Sequence, residues 1–399
     1  MIKIGITGQA GFVGIHLFNT LGLQPEIFKQ IPFKDEYFSD IKTLQNFVQS
    51  CDVIVHLAAM NRHNDPEEIY NTNIKLVKQL IEACEITNSK PHIVFLSSTQ
   101  EERDNLYGKS KKEGRILFEE WAIKNDACFT GLVIPNVFGP YGHPYYNSVI
   151  ATFCHQLTHN EIPKIEIDGE IKLIYVGELV KEIINIASNS QKRKDSNAMK
   201  AAVSNQEIDI SSSPSSLSSI STIHLPHTST IKVSELLNLL TEIKINYFEK
   251  GEIPALDSPF KRNLFNTFLC YIDHKSFFPF LLKKNTDNRG SFVETIKLGS
   301  GGQVSFSTTV PGITRGNHYH TRKAERFAVI KGKAIIELRK IGTSEVLSFE
   351  LDGENPSFVD MPIWFTHNIK NIGEEELYTI FWISEFFVEG DADTFFEEV

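Results

Sequence analysis

Tyr107 and Lys111 stand four residues apart, a spacing that puts a phenol and an ammonium on one face of a helix. An ammonium beside a phenol favours the phenolate and brings a group of intrinsic pKa about 10 nearer to working pH. Such a group serves as general acid or base for a carbonyl/alcohol pair, and the hydroxyl of Ser98 or Thr99, shortly upstream, can hold the reacting oxygen. Taken alone, a Tyr-x-x-x-Lys pattern more often marks a solvated helix face. Its weight comes from what surrounds it.

A second set of residues suggests metal chemistry. His318, His320 and His367 are the three histidines that follow Asp287. His318 and His320, two apart, face the same side of a strand, and Glu325 follows within reach of a turn or a neighbouring strand position. Two imidazoles, a carboxylate and a distant imidazole make an open divalent-metal site. Three nitrogens and one oxygen suit Zn2+ first, and the same set accepts iron, manganese or nickel. The bland alternative is three unrelated surface histidines.

These residues need elements to position them. The stretch Thr7-Gly8-Gln9-Ala10-Gly11-Phe12-Val13-Gly14 follows a strand-like run at 2–6 and precedes a helix-like segment. Glycines at 8, 11 and 14 stand where a tight turn must form, where backbone must approach a pyrophosphate and where helix must pack on strand. That context, more than the glycines themselves, predicts a dinucleotide site with Thr7, Gly8, Gly11, Phe12, Val13 and Gly14 against the cofactor. Further strands are expected at 53–57 and 93–96, with a helix over 73–86 between them. Such alternation builds a parallel sheet covered by helices on both faces. The second strand is expected at 26–33; it ends without an acidic residue to grip a ribose hydroxyl and has Lys29 and Lys34 nearby, which favours NADPH over NADH.

The remainder changes character. Residues 188–230, with the charged run 191–195 and a serine tract at 211–221, read as a flexible insertion, because such a composition buries too little apolar surface to offset ordering entropy. A helix is expected from Val233 to Leu240. From about 285 to the end the pattern is all-β: Val304, Phe306, Thr308 and Val310 alternate, as do Ala334, Ile336 and Leu338, which indicates a sandwich or small barrel.

Length and charge agree with this division. At about 150 residues per domain, 399 residues suggest two to three domains. A net charge of −10 argues against nonspecific nucleic-acid binding. The five dispersed cysteines match reduced thiols, and no apolar run reaches the roughly 18 residues that cross a bilayer. The start lacks a basic stretch followed by a long apolar core, so a cytoplasmic protein without membrane insertion is expected. The aromatic-rich end, 381–382 through 395–396, could form a homodimer interface or β core.

Over roughly residues 1–186, the glycine loop, Ser98-Thr99 and Tyr107/Lys111 together resemble the extended short-chain dehydrogenase/reductases. The resemblance implies a Rossmann-type doubly wound sheet, a nicotinamide hydride donor, His56, Leu57 and Ala58 near the cofactor, and Asn136 beside a nucleotide-sugar site. In that family's dehydratases an Asp-Glu pair follows the Ser/Thr; here Gln100-Glu101 stands instead, which favours reduction. The segment between Thr99 and Tyr107 is short for the family; Ser98 is preferred and Thr99 stays open. Gly312, His318, His320, Glu325 and Gly332 resemble the first cupin motif, whereas Trp364 departs from the second, where glycine is usual.

The whole chain resembles bacterial capsular-polysaccharide enzymes that join a reductase domain to a cupin, including the stretch 145–154 that carries Asn147, a candidate substrate contact. That implies an α/β domain at 1–280 and a cupin β-barrel at 285–399. It also implies C3 epimerisation of a UDP-linked 4-keto-6-deoxy-N-acetylhexosamine and C4 reduction with NADPH, giving UDP-2-acetamido-2,6-dideoxy-L-talose en route to UDP-N-acetyl-L-fucosamine, in a homodimer or higher homo-oligomer. The alternatives are a nucleotide-sugar 4,6-dehydratase, and a reductase whose cupin only senses ligand or dimerises.

Overall fold

The computed structural model describes residues 1–203, 220–288, 290–293, 295–299, 301–385 and 387–399. In chain order the first elements are β1 (Ile2–Thr7), α1 (Phe12–Gly22), β2 (Phe28–Ile31), α2 (Ile41–Ser50), β3 (Val53–His56), α3 (Pro66–Thr87), β4 (His92–Ser98) and α4 (Leu106–Asn125). They are followed by β5 (Phe129–Ile134), β6 (Asn136–Phe138), α5 (Val149–Thr158), β7 (Glu170–Tyr175), α6 (Val176–Val203), β8 (Ile220–His224) and β9 (Ser229–Lys232). The chain divides into two compact units. One comprises Met1–Phe138, Tyr145–Ser148 and Glu170–Ile231; the other comprises Gly139–Pro144, Val149–Gly169 and Lys232–Val399.

In the first unit six strands pair in the order β2-β1-β3-β4-β5-β8, all in parallel. Because successive side chains alternate across a strand, Val53, Val55, Val94 and Leu96 join one apolar cluster with α1 and α6, while Ile54, Ile93 and Phe95 join another with α2, α3 and α4. The continuous apolar strands therefore bury both faces, as a doubly wound sheet requires. The strand order reverses between β1 and β3, and the crevice at that switch point is where such sheets bind ligands. The expected helix at 73–86 begins earlier: Asp65 caps α3 by accepting from the Glu67 amide at 3.0 Å, and Pro66 occupies its first turn.

The structure describes a helix and a strand at the two ends of the expected insertion. Residues up to Val203 continue α6, and β8 pairs with β5 from Phe129↔Ile220 to Val133↔His224. Backbone pairing at a sheet edge needs few apolar side chains, so a polar stretch can supply it; Ile220 and Leu225 still pack against the two clusters. Residues 204–219, with most of the serine tract, lie outside the described residues.

The second unit adds α7 (Val233–Ile243), β10 (Glu252–Ile253), α8 (Pro259–Leu269), α9 (His274–Phe277), β11 (Phe280–Leu281), β12 (Lys284–Asp287), β13 (Gly290–Val293), β14 (Lys297–Leu298), β15 (Gln303–Thr309) and β16 (Thr314–Tyr319). The last elements are β17 (Glu325–Lys331), β18 (Lys333–Lys340), β19 (Val346–Asp352), β20 (Ser357–Met361), β21 (Phe365–Asn371), β22 (Leu377–Ile383) and β23 (Phe395–Phe396). Two five-stranded antiparallel sheets, β11-β20-β17-β22-β15 and β19-β18-β21-β16-β23, enclose a core that includes Ala328, Ile336, Leu338, Phe358, Met361 and Ile369. The result is a β-sandwich or barrel.

The division at Ile231/Lys232 differs from the expected boundary near 280. Helices α7 and α8 pack on each other and on α5, so residues 232–280 cluster with the β-rich part rather than with the α/β sheet that precedes them. A buried network also ties residues 247–251 to the sheet. Arg326 grips Asp360 through two bonds of 2.8 and 2.9 Å, Tyr247 donates to the same carboxylate at 2.5 Å, and the guanidinium lies 3.6 Å from the Phe358 ring centroid.

Candidate functional site

In the α/β unit the glycine triplet has a mechanical cause at each end. Gly8 has φ +70, and a Cβ there would lie 2.9 Å from the Ala58 amide nitrogen, so the loop after β1 and the segment after β3 meet with no room for a side chain. A Cβ on Gly14 would lie 2.3 Å from the Gly8 carbonyl oxygen, so α1 can seat on the loop only through glycine. Gly11 is the N-cap of α1, no side chain caps that end, and its first turn carries no acidic group. A helix start of this kind receives a phosphate through its amides and its dipole.

The other cofactor candidates divide. Leu57 and Ala58 lie against the loop, whereas the His56 ring is turned into the core. Its Nδ1 is paired with the Thr7 hydroxyl at 2.8 Å and it stacks on Phe95; burial, then the charge of Lys111, pushes its pKa down to about 3. His56 and Thr7 thus brace the loop from beneath. Lys29 pairs in register with Lys3, at the end of the strand remote from the loop, whereas Lys34 follows the C-terminal end of β2. Of the two lysines, Lys34 is the one placed near the switch point.

Tyr107 and Lys111 share α4, which Asn105 caps by accepting from the Gly108 amide at 2.7 Å. Lys111 is buried, donates to the Leu96 carbonyl at 3.0 Å, and lies 5.9 Å from the Tyr107 ring centroid. Burial lowers the ammonium to about 8, although the charge of Glu101 pulls the other way. The phenol moves opposite to the expected direction: burial, aided by Tyr146, pushes Tyr107 up to about 12. Tyr107 therefore stays protonated at neutral pH, the state of a proton donor.

Ser98 ends β4 and accepts from the Gln100 amide at 3.2 Å; Thr99 opens the 3-10 turn Thr99–Glu102. Glu101 is fully engaged. Arg115 clasps it with bonds of 2.9 to 3.2 Å, and the Ser97 hydroxyl donates to the same carboxylate. Asn136 is exposed at the start of β6 and donates to the Lys172 carbonyl at 3.3 Å, and Asn147 is exposed on the 145–148 segment. That segment contributes two contacts that sequence reasoning missed. Tyr146 accepts from the Asn61 amide at 3.2 Å, and Arg62 donates to the Tyr145 and Tyr146 carbonyls. Buried Asn73, also missed, bonds Met60 through both backbone groups and the Ser110 hydroxyl beside Tyr107. No local signal marks these residues, because each acts on a neighbour far along the chain.

In the β-rich unit His318, His320, Glu325 and His367 converge, each offering one ligand atom, with all four atoms within 4.8 Å of one another. His318 lies on β16, His320 just past its end, Glu325 at the start of β17 and His367 on β21, opposite His318 in register. Gly316 makes this approach possible: its φ is +100, and a Cβ there would lie 2.8 Å from the His367 carbonyl oxygen. A register shift between Gly316 and His318 then bends the strand and aims His318 inward.

The donor set fits a cation. His320 Nε2, His367 Nε2 and Glu325 Oε2 are buried with no hydrogen-bond partner, an arrangement that costs free energy unless something polar satisfies it. The other ring nitrogens are occupied: His320 Nδ1 bonds the Asp393 carbonyl and His367 Nδ1 the Phe365 carbonyl, which leaves each Nε2 lone pair facing the centre. Burial would raise the Glu325 carboxyl, yet the three imidazoles hold it well below the usual range. Trp364 has φ +63, a left-handed backbone that explains why glycine is usual there; it stacks on Tyr319 at 5.7 Å and donates its amide to the His320 carbonyl.

Comparison with known proteins places both halves. The NAD dependent epimerase/dehydratase family matches residues 4–201, and the polysaccharide biosynthesis C-terminal domain matches residues 285–395. The solved capsular polysaccharide assembling protein CapF from Staphylococcus aureus is 32% identical over 100% of both chains, with a TM-score of 0.57. This chain belongs to the CapF family. A second CapF structure, with the inhibitor 3-isopropenyl-tropolone, is 29% identical over 100% of both chains, with a TM-score of 0.52. The UDP-2-acetamido-2,6-beta-L-arabino-hexul-4-ose reductase of Pseudomonas aeruginosa is 32% identical over 397 residues, 99% of this chain and 98% of that protein. Within this CapF-family chain the glycine loop, Tyr107 and Lys111 fall in the first matched region and the His/Glu cluster in the second.

Proposed function

We propose that this CapF-family chain is a bifunctional nucleotide-sugar enzyme. Its β-rich unit, a cupin, epimerises C3 of a UDP-2-acetamido-2,6-dideoxy-4-keto-hexose. Its α/β unit, an extended short-chain reductase, then reduces C4 with NADPH to UDP-2-acetamido-2,6-dideoxy-L-talose, on the way to UDP-N-acetyl-L-fucosamine for surface polysaccharide. The observation that carries the reading is one chain holding both a Tyr107/Lys111 pair on α4, in the same unit as the glycine loop, and a convergent His3Glu set. The name of the Pseudomonas aeruginosa relative, a reductase of a 4-keto amino sugar, supports the same substrate class.

The residues suit both steps. A C4 ketone acidifies the proton on C3, so base-catalysed exchange there inverts the centre. His318, His320, Glu325 and His367 would hold the divalent ion, Zn2+ first; when bound, it supplies a Lewis acid for the carbonyl oxygen. In the second step Tyr107 gives its proton to the C4 oxygen, Ser98 or Thr99 steadies that oxygen, and Lys111 orients the phenol from beneath. Reduced nicotinamide, when bound at the loop, supplies the hydride. Asn136, at the start of β6, and Asn147, on the 145–148 segment, are both exposed and suited to contact the nucleotide sugar. Glu101, where a dehydratase would keep a working carboxylate, is clasped by Arg115, which supports reduction over dehydration.

A homodimer through the β-rich unit fits the edge strand β15, which exposes Val304 and Phe306. No described helix is long and apolar enough to cross a membrane, and a nucleotide sugar with NADPH suits a cytoplasmic enzyme. The test is incubation with the UDP-4-keto-sugar in heavy water. Deuterium should enter C3 without NADPH, and adding NADPH should consume it and yield the talo product. No exchange at C3 would reduce the β-rich unit to a sensing or dimerising module. A Tyr107→Phe variant oxidising NADPH at full rate would overturn the reductase assignment.

A further inference from the structure

Of the three histidines, His318 and His367 lie on hydrogen-bonded strands, whereas His320 lies beyond the end of β16. What holds it comes from 73 residues later: its Nδ1 bonds the Asp393 carbonyl. Asp393 is itself only 7% exposed, and its carboxylate gathers the turn that follows His320. It accepts from the Thr321 amide at 3.2 Å, the Thr321 hydroxyl at 2.6 Å, the Arg322 amide at 3.0 Å and the Lys323 amide at 3.2 Å. Successive amides converging on one carboxylate form an anion nest filled from within the chain.

Neighbouring residues fasten the same segment. Lys323, 1% exposed, donates to the Ala392 carbonyl at 2.7 Å, and Arg322 reaches the Asp391 carboxylate at 2.8 Å. On the far side of Asp393, β23 pairs with β16 at His318↔Phe396 and Tyr319↔Phe395, and the Glu397 amide bonds the Asn317 carbonyl at 3.0 Å. The C-terminal segment thus grips the His-x-His stretch at both ends.

We propose that residues 391–398 form a strap that sets the metal centre, with Asp393 as its positioning residue. The inference rests on reading the His/Glu cluster as a metal site. Asp393 bonds His320 on the nitrogen that does not face the centre, so it fixes tautomer and ring angle at once, and its carboxylate fixes the turn that carries the ring. Outer contacts of this kind change metal affinity by about 10- to 100-fold when lost.

The experiment titrates cobalt(II) into the full-length metal-stripped protein, reading affinity by chelator competition and ligand geometry by the visible d–d spectrum. Asp393→Asn keeps the backbone carbonyl but replaces an acceptor oxygen with an amide donor facing three N–H groups. It should weaken cobalt binding 10- to 100-fold and alter the spectrum while the stripped protein still melts cooperatively. If Asp393→Asn does not fold, Thr321→Val, which removes one hydroxyl bond, should weaken binding several-fold. Unchanged affinity and spectrum in the folded variant overturn the inference alone. A wild-type protein that takes up no cobalt overturns the metal reading and this inference with it.

Discussion

The Nε2 of His367 lies 2.9 Å from the Oε2 of Glu325, and both atoms are buried without a hydrogen bond. The same oxygen is 3.4 Å from His320 Nε2 and 3.8 Å from His318 Nε2. One carboxylate oxygen facing three imidazole nitrogens is the geometry of ligands aimed at a common point.

Glu325→Gln keeps the side-chain volume and removes the charge. Zinc affinity should fall at least 10-fold and deuterium entry at C3 should be lost. Competition with a chromophoric chelator and mass analysis of the recovered sugar measure the two effects. Treating the wild type with a chelator should reproduce the loss of exchange, and zinc should restore it.

Glu101→Gln separates a structural carboxylate from a chemical one. Arg115 and the Ser97 hydroxyl would each lose a charged acceptor in a half-buried place, which should cost about 1–3 kcal/mol in urea unfolding. NADPH oxidation with the 4-keto substrate should remain within a few-fold of wild type. A loss of a thousandfold, with stability unchanged, would make Glu101 part of the chemistry and not a structural carboxylate.

Lys111 makes stability depend on pH with a defined sign. Burial lowers its folded-state pKa to about 8, below the roughly 10.4 of an unfolded chain, so between these values the unfolded state binds more protons. The unfavourable contribution of the buried charge is complete below about pH 8 and shrinks as pH rises to about 10.4. Lys111→Met should therefore unfold at higher temperature than wild type at pH 7, by an amount that narrows toward pH 10. In the wild type the reduction rate should decline as pH rises through about 8, where the ammonium that orients Tyr107 is lost.

Gly316→Ala tests the approach of β16 to β21. With φ +100 and a Cβ 2.8 Å from the His367 carbonyl, the substitution should destabilise by more than about 1 kcal/mol and lower metal uptake together. Gly301→Ala, whose Cβ would meet nothing within 4 Å, is the control and should stay within about 0.5 kcal/mol. Equal effects from both would remove Gly316 from the account of the site.

Much was legible in the chain because it depends on geometry within a few residues. Gly8, Gly11 and Gly14 between strand and helix encode the tight link from β1 to α1, since turn, cap and helix seat are all local. Tyr107 and Lys111 share a helix face by spacing alone, and His318 and His320 point together because they are two apart on extended chain. The alternation of elements also determined a parallel sheet followed by antiparallel ones.

Tertiary structure decided what depends on distant neighbours. The direction of the Tyr107 shift follows from burial and from Tyr146, neither visible in a Tyr-x-x-x-Lys pattern. Glu101 became structural because Arg115, a turn further along α4, reaches back to it. Residues 220–224 became a sheet edge because β5 offered its backbone, and 232–280 joined the β-rich unit because α7 and α8 found α5. His367 meets Glu325, and Asp393 meets His320, through strand register and chain return, and sequence spacing carries no record of contacts made by packing across so many residues.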